Sequence, residues 1–318
     1  MPLRHLLALS AFVLLGVPPA PGAIYGTDDI RDIIHVPSYR HLSQSVAISV
    51  PNAFIERNPN GSFKITDVTI AGKVLCPGER FRSQPSLPAI GNCTGFLVGD
   101  RYLVTAGHCI LPAGIVDDEV HPYCEGFSWY FDFHQDDSGL ANTERVPANR
   151  LYRCKRVIRA ENKDELFDEA NSKYPGADFA VIELDRPVDP ELTPLKIARR
   201  PVKVGDEIFT IGHPLSLPAK FSGISRVVKN DPKRDYYEAY LDTFSGNSGG
   251  PVFNSRNEVV GILVGGHPID FIWDRDAECV RLNRCDQSGR SCSENSPFPN
   301  LPVTNQIQRV EAVLKYIP

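Results

Sequence analysis

The sequence has no surplus of positive charge and, beyond its N-terminus, no long apolar run. The formal net charge is −5 and the isoelectric point is near 5.9. No basic stripe with interleaved aromatic residues is present, so nucleic acid is not an expected partner. No later segment approaches the roughly 20 apolar residues that a membrane-spanning helix needs, so the mature form is not expected to bind a membrane.

The chain also has no paired Cys-x-x-Cys spacing, no phosphate-binding loop and no dinucleotide-binding fingerprint. We therefore predict neither a metal nor a cofactor. An even number of cysteines in an exported chain indicates disulfides, because an oxidising compartment favours them. The eight are Cys76, Cys93, Cys109, Cys124, Cys154, Cys279, Cys285 and Cys292.

Export is indicated by the first 23 residues. A basic residue, Arg4, precedes the apolar run Leu6–Val17, and small residues at 20–23 offer a cleavage site. The run is too short to cross a bilayer. We predict a signal peptide at residues 1–23 and a secreted protein, extracellular or periplasmic.

The rest of the chain is typical of a β-rich protein, with short apolar segments separated by turns and 27 prolines and 24 glycines in all. A proline-punctuated stretch at 187–203 is the natural linker between two halves. Val303, Ile307 and Val310 recur at helical spacing behind Thr304, which predicts a C-terminal helix. The predicted units are 24–43 (an N-terminal arm or a pro-segment), 44–186 (first β unit), 204–302 (second β unit with a cysteine-rich loop) and 303–318 (helix).

An acidic stretch, Glu161–Gly176, lies inside the first unit. It could bind a cation such as calcium, but a solvated surface run is the favoured interpretation.

Three short segments carry the chemistry. Ser248 stands in Gly-Asn-Ser-Gly-Gly-Pro at 246–251, His108 follows a predicted hairpin, and Asp178 opens an apolar run. A nucleophile needs a base to deprotonate it and a third group to orient that base. One Ser, one His and one Asp at the edges of strand-like segments fit those roles.

Thr-Ala-Gly-His-Cys at 105–109, Asp-Phe-Ala-Val-Ile-Glu-Leu at 178–184 and Gly-Asn-Ser-Gly-Gly-Pro-Val at 246–252 closely resemble the catalytic motifs of trypsin-like (chymotrypsin-fold) serine peptidases. Within that family the chain looks most like the bacterial branch that includes the glutamyl endopeptidases, over roughly residues 40–318. The resemblance implies an all-β fold of two antiparallel six-stranded β-barrels with the C-terminal helix outside. It also implies a secreted serine endopeptidase that acts on protein or peptide substrates. A protein inhibitor is a further candidate partner.

By that resemblance His108 is the general base, Asp178 orients it and Ser248 attacks the substrate carbonyl, with the backbone N–H groups of Gly246 and Ser248 as the oxyanion hole. The family likeness also suggests a Cys93–Cys109 disulfide. The remaining six cysteines allow 15 connectivities, which stay open. Animal members carry Asp before the nucleophile, to receive a cut N-terminus. This chain has Asn247 there, so that mode of activation is not expected.

Substrate specificity is indicated less directly. Asp242 lies six residues before the nucleophile, where trypsin-type enzymes keep the carboxylate that pairs with Lys or Arg, so we predict cleavage after basic residues. The alternative is that Asp242 is structural. Glutamyl endopeptidases use a His where this chain has Leu263, although His267 lies just beyond. The predicted S1 residues are Asp242, Thr243, Leu263, Val264 and Gly265.

Two further functions stay open. A pseudopeptidase that only binds a partner would keep the motifs but have a blocked cleft. An HtrA-like quality-control protease is suggested by Gly212-His213-Pro214 and by Gly246-Asn247-Ser248, although we expect no room for a peptide-binding domain after residue 318.

Overall fold

The computed structural model describes residues 22–67, 74–88, 92–162, 176–293 and 304–317. The predicted signal peptide therefore lies almost entirely outside the described residues, as do positions 163–175 of the acidic stretch.

Strands dominate the described chain, and helices are few and short. Helix α1 is Arg40–Ser43 and helix α2 is Pro122–Gly126. Single 3-10 turns connect several strands, and a longer 3-10 helix, Val310–Tyr316, ends the described chain. The strands in chain order are β1 Ile24–Tyr25, β2 Arg31–Asp32, β3 Val46–Pro51, β4 Ile55–Arg57, β5 Phe63–Ile65, β6 Thr94–Leu97, β7 Tyr102–Thr105, β8 Gly114–Glu119, β9 Phe127–Phe131, β10 Leu151–Asn162, β11 Asp178–Leu184, β12 Glu207–Gly212, β13 Lys220–Phe221, β14 Ser225–Lys229, β15 Tyr236–Ala239, β16 Pro251–Asn254, β17 Val259–Gly265, β18 Phe271–Asp274, β19 Cys279–Leu282, β20 Arg284–Cys285 and β21 Asn305–Arg309.

The first barrel is a closed antiparallel sheet in the order β11-β7-β6-β3-β9-β10. It closes where β10 pairs with β11, and β8 adds to the outer edge of β10. Closure removes the unpaired sheet edges that would otherwise invite aggregation. Trp129, Phe131 and Ile182 are fully buried inside it, because alternate residues of each strand point inward.

The second barrel is closed in the same way, in the order β14-β15-β21-β17-β16-β12, with β14 returning to β12. Strand β13 extends β12, and β2 from the N-terminus extends β13. The prediction of two six-stranded antiparallel barrels is confirmed. Between β11 and β12 the described chain has no strand or helix, and the predicted linker at 187–203 lies in this stretch.

The C-terminal prediction was wrong for the first part of the segment. Asn305–Arg309 forms β21, which pairs with both β15 and β17 and completes the second barrel. The helix is confined to Val310–Tyr316 and is of the 3-10 type. Ile307 and Val310 are both buried. A pattern of only three apolar residues cannot distinguish one continuous helix from a strand followed by a helical turn.

A shared apolar core joins the two barrels. Phe96 and Val181 of the first barrel belong to the same buried cluster as Phe209 and Phe253 of the second. The loops that carry the three predicted catalytic residues are therefore anchored on two barrels that pack directly against each other.

Four disulfides account for all eight cysteines: Cys76–Cys279, Cys93–Cys109, Cys124–Cys154 and Cys285–Cys292. The Cys93–Cys109 pair is the one that the family resemblance implied. Cys279 forms a disulfide with Cys76, which precedes β6. Of the three cysteines at 279–292, only Cys285 and Cys292 are therefore bonded to each other. Within the described residues no helix is both long and apolar enough to cross a membrane.

Candidate active site

His108 and Asp178 lie together at one end of the first barrel. His108 sits in the 3-10 turn Gly107–Cys109 directly after β7, and Asp178 is the first residue of β11, which pairs with β7. The Nδ1 atom of His108 is 2.7 Å from Oδ2 of Asp178. The backbone N–H of His108 donates to Oδ1 of the same carboxylate at 3.0 Å. The carboxylate thus fixes both the ring and the main chain of His108.

Asp178 is itself held by the second barrel. Its backbone N–H donates to Oε1 of Gln308 in β21 at 2.9 Å, and the Gln308 amide donates in turn to the carbonyl of Asp235 at 3.0 Å. Gln308 is buried. A side chain of the last strand therefore orients the residue that orients His108.

Ser248 lies in the loop between β15 and β16, which we call the nucleophile loop, residues 243–250. Ser248 is buried, and its carbonyl accepts a hydrogen bond from the backbone N–H of Thr94 at 2.8 Å. The hydroxyl of Thr94 donates to the carbonyl of Gly246 at 2.7 Å. Thr94, at the start of β6 in the first barrel, therefore binds the carbonyl groups of the residues before and after Asn247.

The bend at the nucleophile needs glycine. Gly249 has φ +83°, and a Cβ there would lie 2.2 Å from the carbonyl oxygen of Thr94. Both the left-handed backbone and the close contact exclude a side chain. The N–H groups of Asn247 and Gly250 donate within the loop, to Phe244 and Asn247, and that of Gly249 donates to Leu263. The loop is thus a fixed turn with Ser248 at its centre.

Asn247 has a structural part in the same turn. Its side chain is buried and its Nδ2 atom donates to the carbonyl of Phe244 at 3.1 Å. This contact lies inside the loop, so Asn247 stabilises the turn from within.

The Cys93–Cys109 disulfide connects the two halves of the site. Cys109 follows His108 directly, and its Sγ atom lies 3.8 Å from the carbonyl oxygen of Ser248. Cys93 precedes Thr94, whose backbone binds that same carbonyl. The disulfide therefore places the turn of His108 against the peptide of Ser248.

Asp242 faces the N-terminal part of the chain. Its Oδ1 atom accepts from the N–H of Tyr25 at 2.7 Å and its Oδ2 atom from the N–H of Asp29 at 3.1 Å. Burial, together with the negative charges of Asp28 and Asp29, raises the pKa of Asp242 to about 7, and the hydrogen bonds from those two N–H groups oppose the rise in part. Asp242 thus has the kind of structural partner that the sequence left open as an alternative.

The other predicted S1 residues differ in their burial. Leu263 packs into the core of the second barrel. The Thr243 hydroxyl accepts from Asn305 at 2.7 Å. Val264 and Gly265 end β17 and are partly exposed.

Two further histidines named in the sequence analysis, His267 and His213, are both buried. His267 is buried, with Nδ1 3.1 Å from the N–H of Ile269, and burial lowers its pKa. His213 is buried against Phe133, its Nδ1 lies 3.0 Å from the carbonyl of Leu217, and burial lowers its pKa to about 3. Burial therefore favours the neutral imidazole at both positions.

Sequence reasoning missed three residues that support the site: Thr94, Gln308 and Asp270. Asp270 is buried, and Oδ1 and Oδ2 both lie 3.3 Å from the N–H of Ser245. Burial raises the pKa of Asp270 to about 6, while hydrogen bonds from Ser245 and Gly22 lower it in part. None of the three lies in a recognisable motif, and only spatial proximity identifies them.

The part of the chain that matches a known family includes His108, Asp178 and Ser248. Residues 93–262, more than half of the chain, match the model of the trypsin-like peptidase domain.

The chain belongs to the trypsin-like peptidase family.

Two curated relatives are similar to this chain over part of its length. A probable periplasmic serine endoprotease, DegP-like, from Pseudomonas putida is 29% identical over 112 residues, which are 33% of this chain and 23% of that protein. Trypsin 5G1 of Aedes aegypti is 23% identical over 228 residues, 62% of this chain and 75% of that protein. The trypsin-like peptidase thus spans less than a quarter of the DegP-like relative.

Solved structures of other peptidases are similar to the trypsin-like peptidase at low sequence identity. A Glu endopeptidase in complex with MPD matches with a TM-score of 0.48 and 16% identity, over 92% of this chain and 97% of that one. Deg5 matches with a TM-score of 0.44 and 14% identity, over 88% of this chain and 90% of that one.

Proposed function

We propose that the protein hydrolyses peptide bonds through an acyl-enzyme formed on Ser248, with His108 as the base and Asp178 as its orienting carboxylate. The single observation that carries the proposal is the double contact of Asp178 with the ring and the backbone of His108. An imidazole whose Nδ1 donates to a carboxylate presents Nε2 as the proton acceptor, which is the tautomer that a general base needs.

The proposed reaction has two halves, acylation of Ser248 and hydrolysis of the resulting ester. Nε2 of His108 takes the proton of the Ser248 hydroxyl while Oγ forms a bond to the substrate carbonyl carbon. The carbonyl oxygen becomes an oxyanion, for which we propose the N–H groups of Gly246 and Ser248 as donors. The C–N bond then breaks, and the imidazolium gives its proton to the leaving amine. Water, deprotonated by His108, cleaves the resulting ester and frees Ser248.

Asp178 stabilises the imidazolium that forms in each half of this cycle. Its side chain is 19% exposed and that of His108 is 10% exposed. Because the pair is largely shielded from solvent, the attraction between the two charges is stronger than at an exposed site.

Hydrolysis of a denatured protein substrate by the purified, secreted chain tests the proposal. Ser248→Ala should abolish hydrolysis. Ser255→Ala removes the same hydroxyl from an exposed turn and should leave the rate unchanged. Folded protein that binds substrate without cleaving it would instead indicate the pseudopeptidase.

We keep cleavage after Arg or Lys as a proposal, with Asp242 as the residue on which it depends. An ionised carboxylate has about four lone-pair sites, and the N–H groups of Tyr25 and Asp29 use two of them. A peptide library cleaved by wild type and by Asp242→Asn decides the matter. Loss of the basic preference in the variant supports a direct role, and an unchanged profile, or cleavage after Glu alone, contradicts it.

We also propose that the protein is secreted. The predicted signal peptide and the four disulfides support export, since disulfides persist in oxidising compartments. Detection of the oxidised chain outside the cytoplasm of its host would support the proposal, and a reduced cytoplasmic form would contradict it.

A further inference from the structure

The segment Gly22–Asp32, which we call the N-terminal segment, is built into the side of the molecule that carries Ser248. Its strand β1 pairs with β20 and its strand β2 pairs with β13. Ile24 and Ile30 are buried in one cluster with Phe244 of the nucleophile loop. These contacts are those of a permanent part of the fold.

Ion pairs hold the same segment along its length. Asp32 pairs with Lys220 and Asp28 pairs with Arg80. Lys220 is 2% exposed. Removing the segment would leave that ammonium group buried without its partner, which is strongly unfavourable.

Asp270 connects the first residue of this segment to the nucleophile loop. Its Oδ1 atom accepts from the N–H of Gly22 at 2.5 Å, and its Oδ2 atom accepts from the hydroxyl of Ser245. Asp270 is 8% exposed. A buried carboxylate that binds donors from two segments holds them at a fixed separation, and such charge-assisted bonds are about twice as strong as neutral ones.

Ser245 links the Asp270 contact to the candidate active site. It lies three residues before Ser248, and its carbonyl accepts from the N–H of Leu215 at 2.6 Å. Gly246, the proposed oxyanion donor, follows directly. A shift of Ser245 would therefore move the oxyanion donor and the nucleophile together.

We propose that Asp270 is a positioning residue of the peptidase, which makes the geometry of the nucleophile loop depend on Gly22 being seated in the fold. The inference rests on the proposed function of Ser248. It also requires that the mature chain begin at or before Gly22, so the signal peptide ends by Pro21, two residues earlier than the sequence predicted.

A substitution at Gly22 is a sensitive way to disturb its contact with Asp270. A Cβ at Gly22 would lie 1.9 Å from the carbonyl oxygen of Thr243, far inside van der Waals contact. Gly22→Ala must therefore displace the end of the segment, while Asp242 still binds the segment at Tyr25 and Asp29. The matched control is Gly126→Ala, because a Cβ there meets nothing within 4 Å.

The intact mass of the secreted, oxidised protein is measured first. A mature N-terminus at or before Gly22 supports the proposal, and one at Ala23 or later overturns it, since the contact would not exist in the enzyme.

Steady-state kinetics of Asp270→Ala and Gly22→Ala follow. We expect kcat to fall about 10- to 100-fold with little change in KM, because displacement of the loop by a fraction of an ångström misplaces the reacting atoms. Asp270→Asn should retain more activity than Asp270→Ala, since its amide oxygen still accepts from Gly22. The controls should match wild type: Gly126→Ala, and Asp286→Asn, which changes an exposed Asp between Cys285 and Cys292. Rates within twofold of wild type for both test variants would overturn the proposal.

Hydrogen exchange separates this inference from the proposed function. In a Ser248→Ala background, Asp270→Ala should speed amide exchange in both 22–26 and 243–248, and Gly22→Ala should do the same, whatever the catalytic activity. Faster exchange in only one of the two stretches would overturn the coupling. Coupled exchange in a protein that never hydrolyses a peptide would overturn the function alone.

Discussion

His108 and Asp178 are joined by two contacts, one from the imidazole ring at 2.7 Å and one from the backbone N–H at 3.0 Å. Because of this double contact, a change at Asp178 can affect both the tautomer of the His108 ring and the position of the His108 main chain. Most of the expected catalytic behaviour depends on this pair.

Asp178→Asn is expected to lower kcat by on the order of 10⁴-fold, because an amide cannot stabilise the imidazolium and favours the wrong tautomer. The backbone contact from His108 can still be accepted by the amide oxygen, so the fold should survive. Circular dichroism and kcat measured on the same preparation check this. A variant with more than a tenth of the wild-type kcat would contradict the assignment of Asp178.

Gln308→Ala tests whether the last strand supports the site. It leaves the partly buried N–H of Asp178 without its acceptor, at a cost of about 1 kcal/mol. We expect kcat to fall while KM changes little, since Gln308 is linked to the orienting residue. Gln306→Ala, in the same strand, serves as the control. Equal effects of the two substitutions would show that Gln308 acts only through the stability of β21.

Thr94→Val removes one hydroxyl while nearly keeping the shape of the side chain. That hydroxyl donates to Gly246 and accepts from the N–H of His213 at 3.1 Å. We expect the free energy of unfolding to fall by about 1–3 kcal/mol, because buried polar groups lose their partner, and kcat to fall as well. Denaturant titration and kinetics measure the two effects. An unaltered kcat would mean that the nucleophile loop keeps its shape without Thr94.

The disulfide at the site should matter more for activity than the disulfide in the cysteine-rich loop. Cys93 and Cys109 are 16 residues apart, and removing such a crosslink costs about 3 kcal/mol by the chain-entropy model. Cys285 and Cys292 are 7 residues apart, whereas Sγ of Cys109 lies 3.8 Å from the carbonyl oxygen of Ser248. We expect the double alanine variant at 93 and 109 to lose more kcat than the one at 285 and 292. A larger loss of kcat in the variant at 285 and 292 would contradict the proposal that the Cys93–Cys109 disulfide holds the turn of His108 against Ser248.

The pH dependence of stability follows from Asp242. Its pKa of about 7 in the folded state lies above its ordinary value near 4, so between those values the folded state binds more protons than the unfolded state. The contribution of Asp242 is therefore fully present below pH 4 and is lost as pH rises through 7, with a slope of at most about 1.4 kcal/mol per pH unit.

Asp242→Asn removes that titration. Its melting temperature relative to wild type should therefore be higher at pH 8 than at pH 5, as thermal unfolding at the two pH values would show. A difference between variant and wild type that stays constant with pH would contradict a raised pKa at Asp242.

The two barrels could be predicted because three short motifs resemble those of the trypsin-like serine peptidases, and the candidate triad could be proposed because its signals are local. Ser248 among glycines, His108 after a strand and Asp178 before one are each legible within a few residues. The contacts that support them are not local: Gly246 is bound from Thr94, 152 positions away, and Asp178 from Gln308, 130 positions away. Such partners depend on how the closed barrels bring distant strands together.

The N-terminal segment illustrates the same limit. Ile24–Ser43 shows no clear periodicity, so the sequence could not distinguish an arm from a pro-segment. Its role depends on a carboxylate at Asp270, 248 positions from Gly22. The C-terminal segment was misjudged for a different reason, since apolar residues three positions apart fit a strand and a turn equally well.

Fluorophosphonate labelling of the folded, secreted protein, with the modified residue located by mass spectrometry, tests the central claim most directly. A base-activated serine should react stoichiometrically at Ser248, slowly in Asp178→Asn, and not at all in Ser248→Ala. Folded protein that remains unlabelled at Ser248, or that is labelled at another serine, would contradict the account.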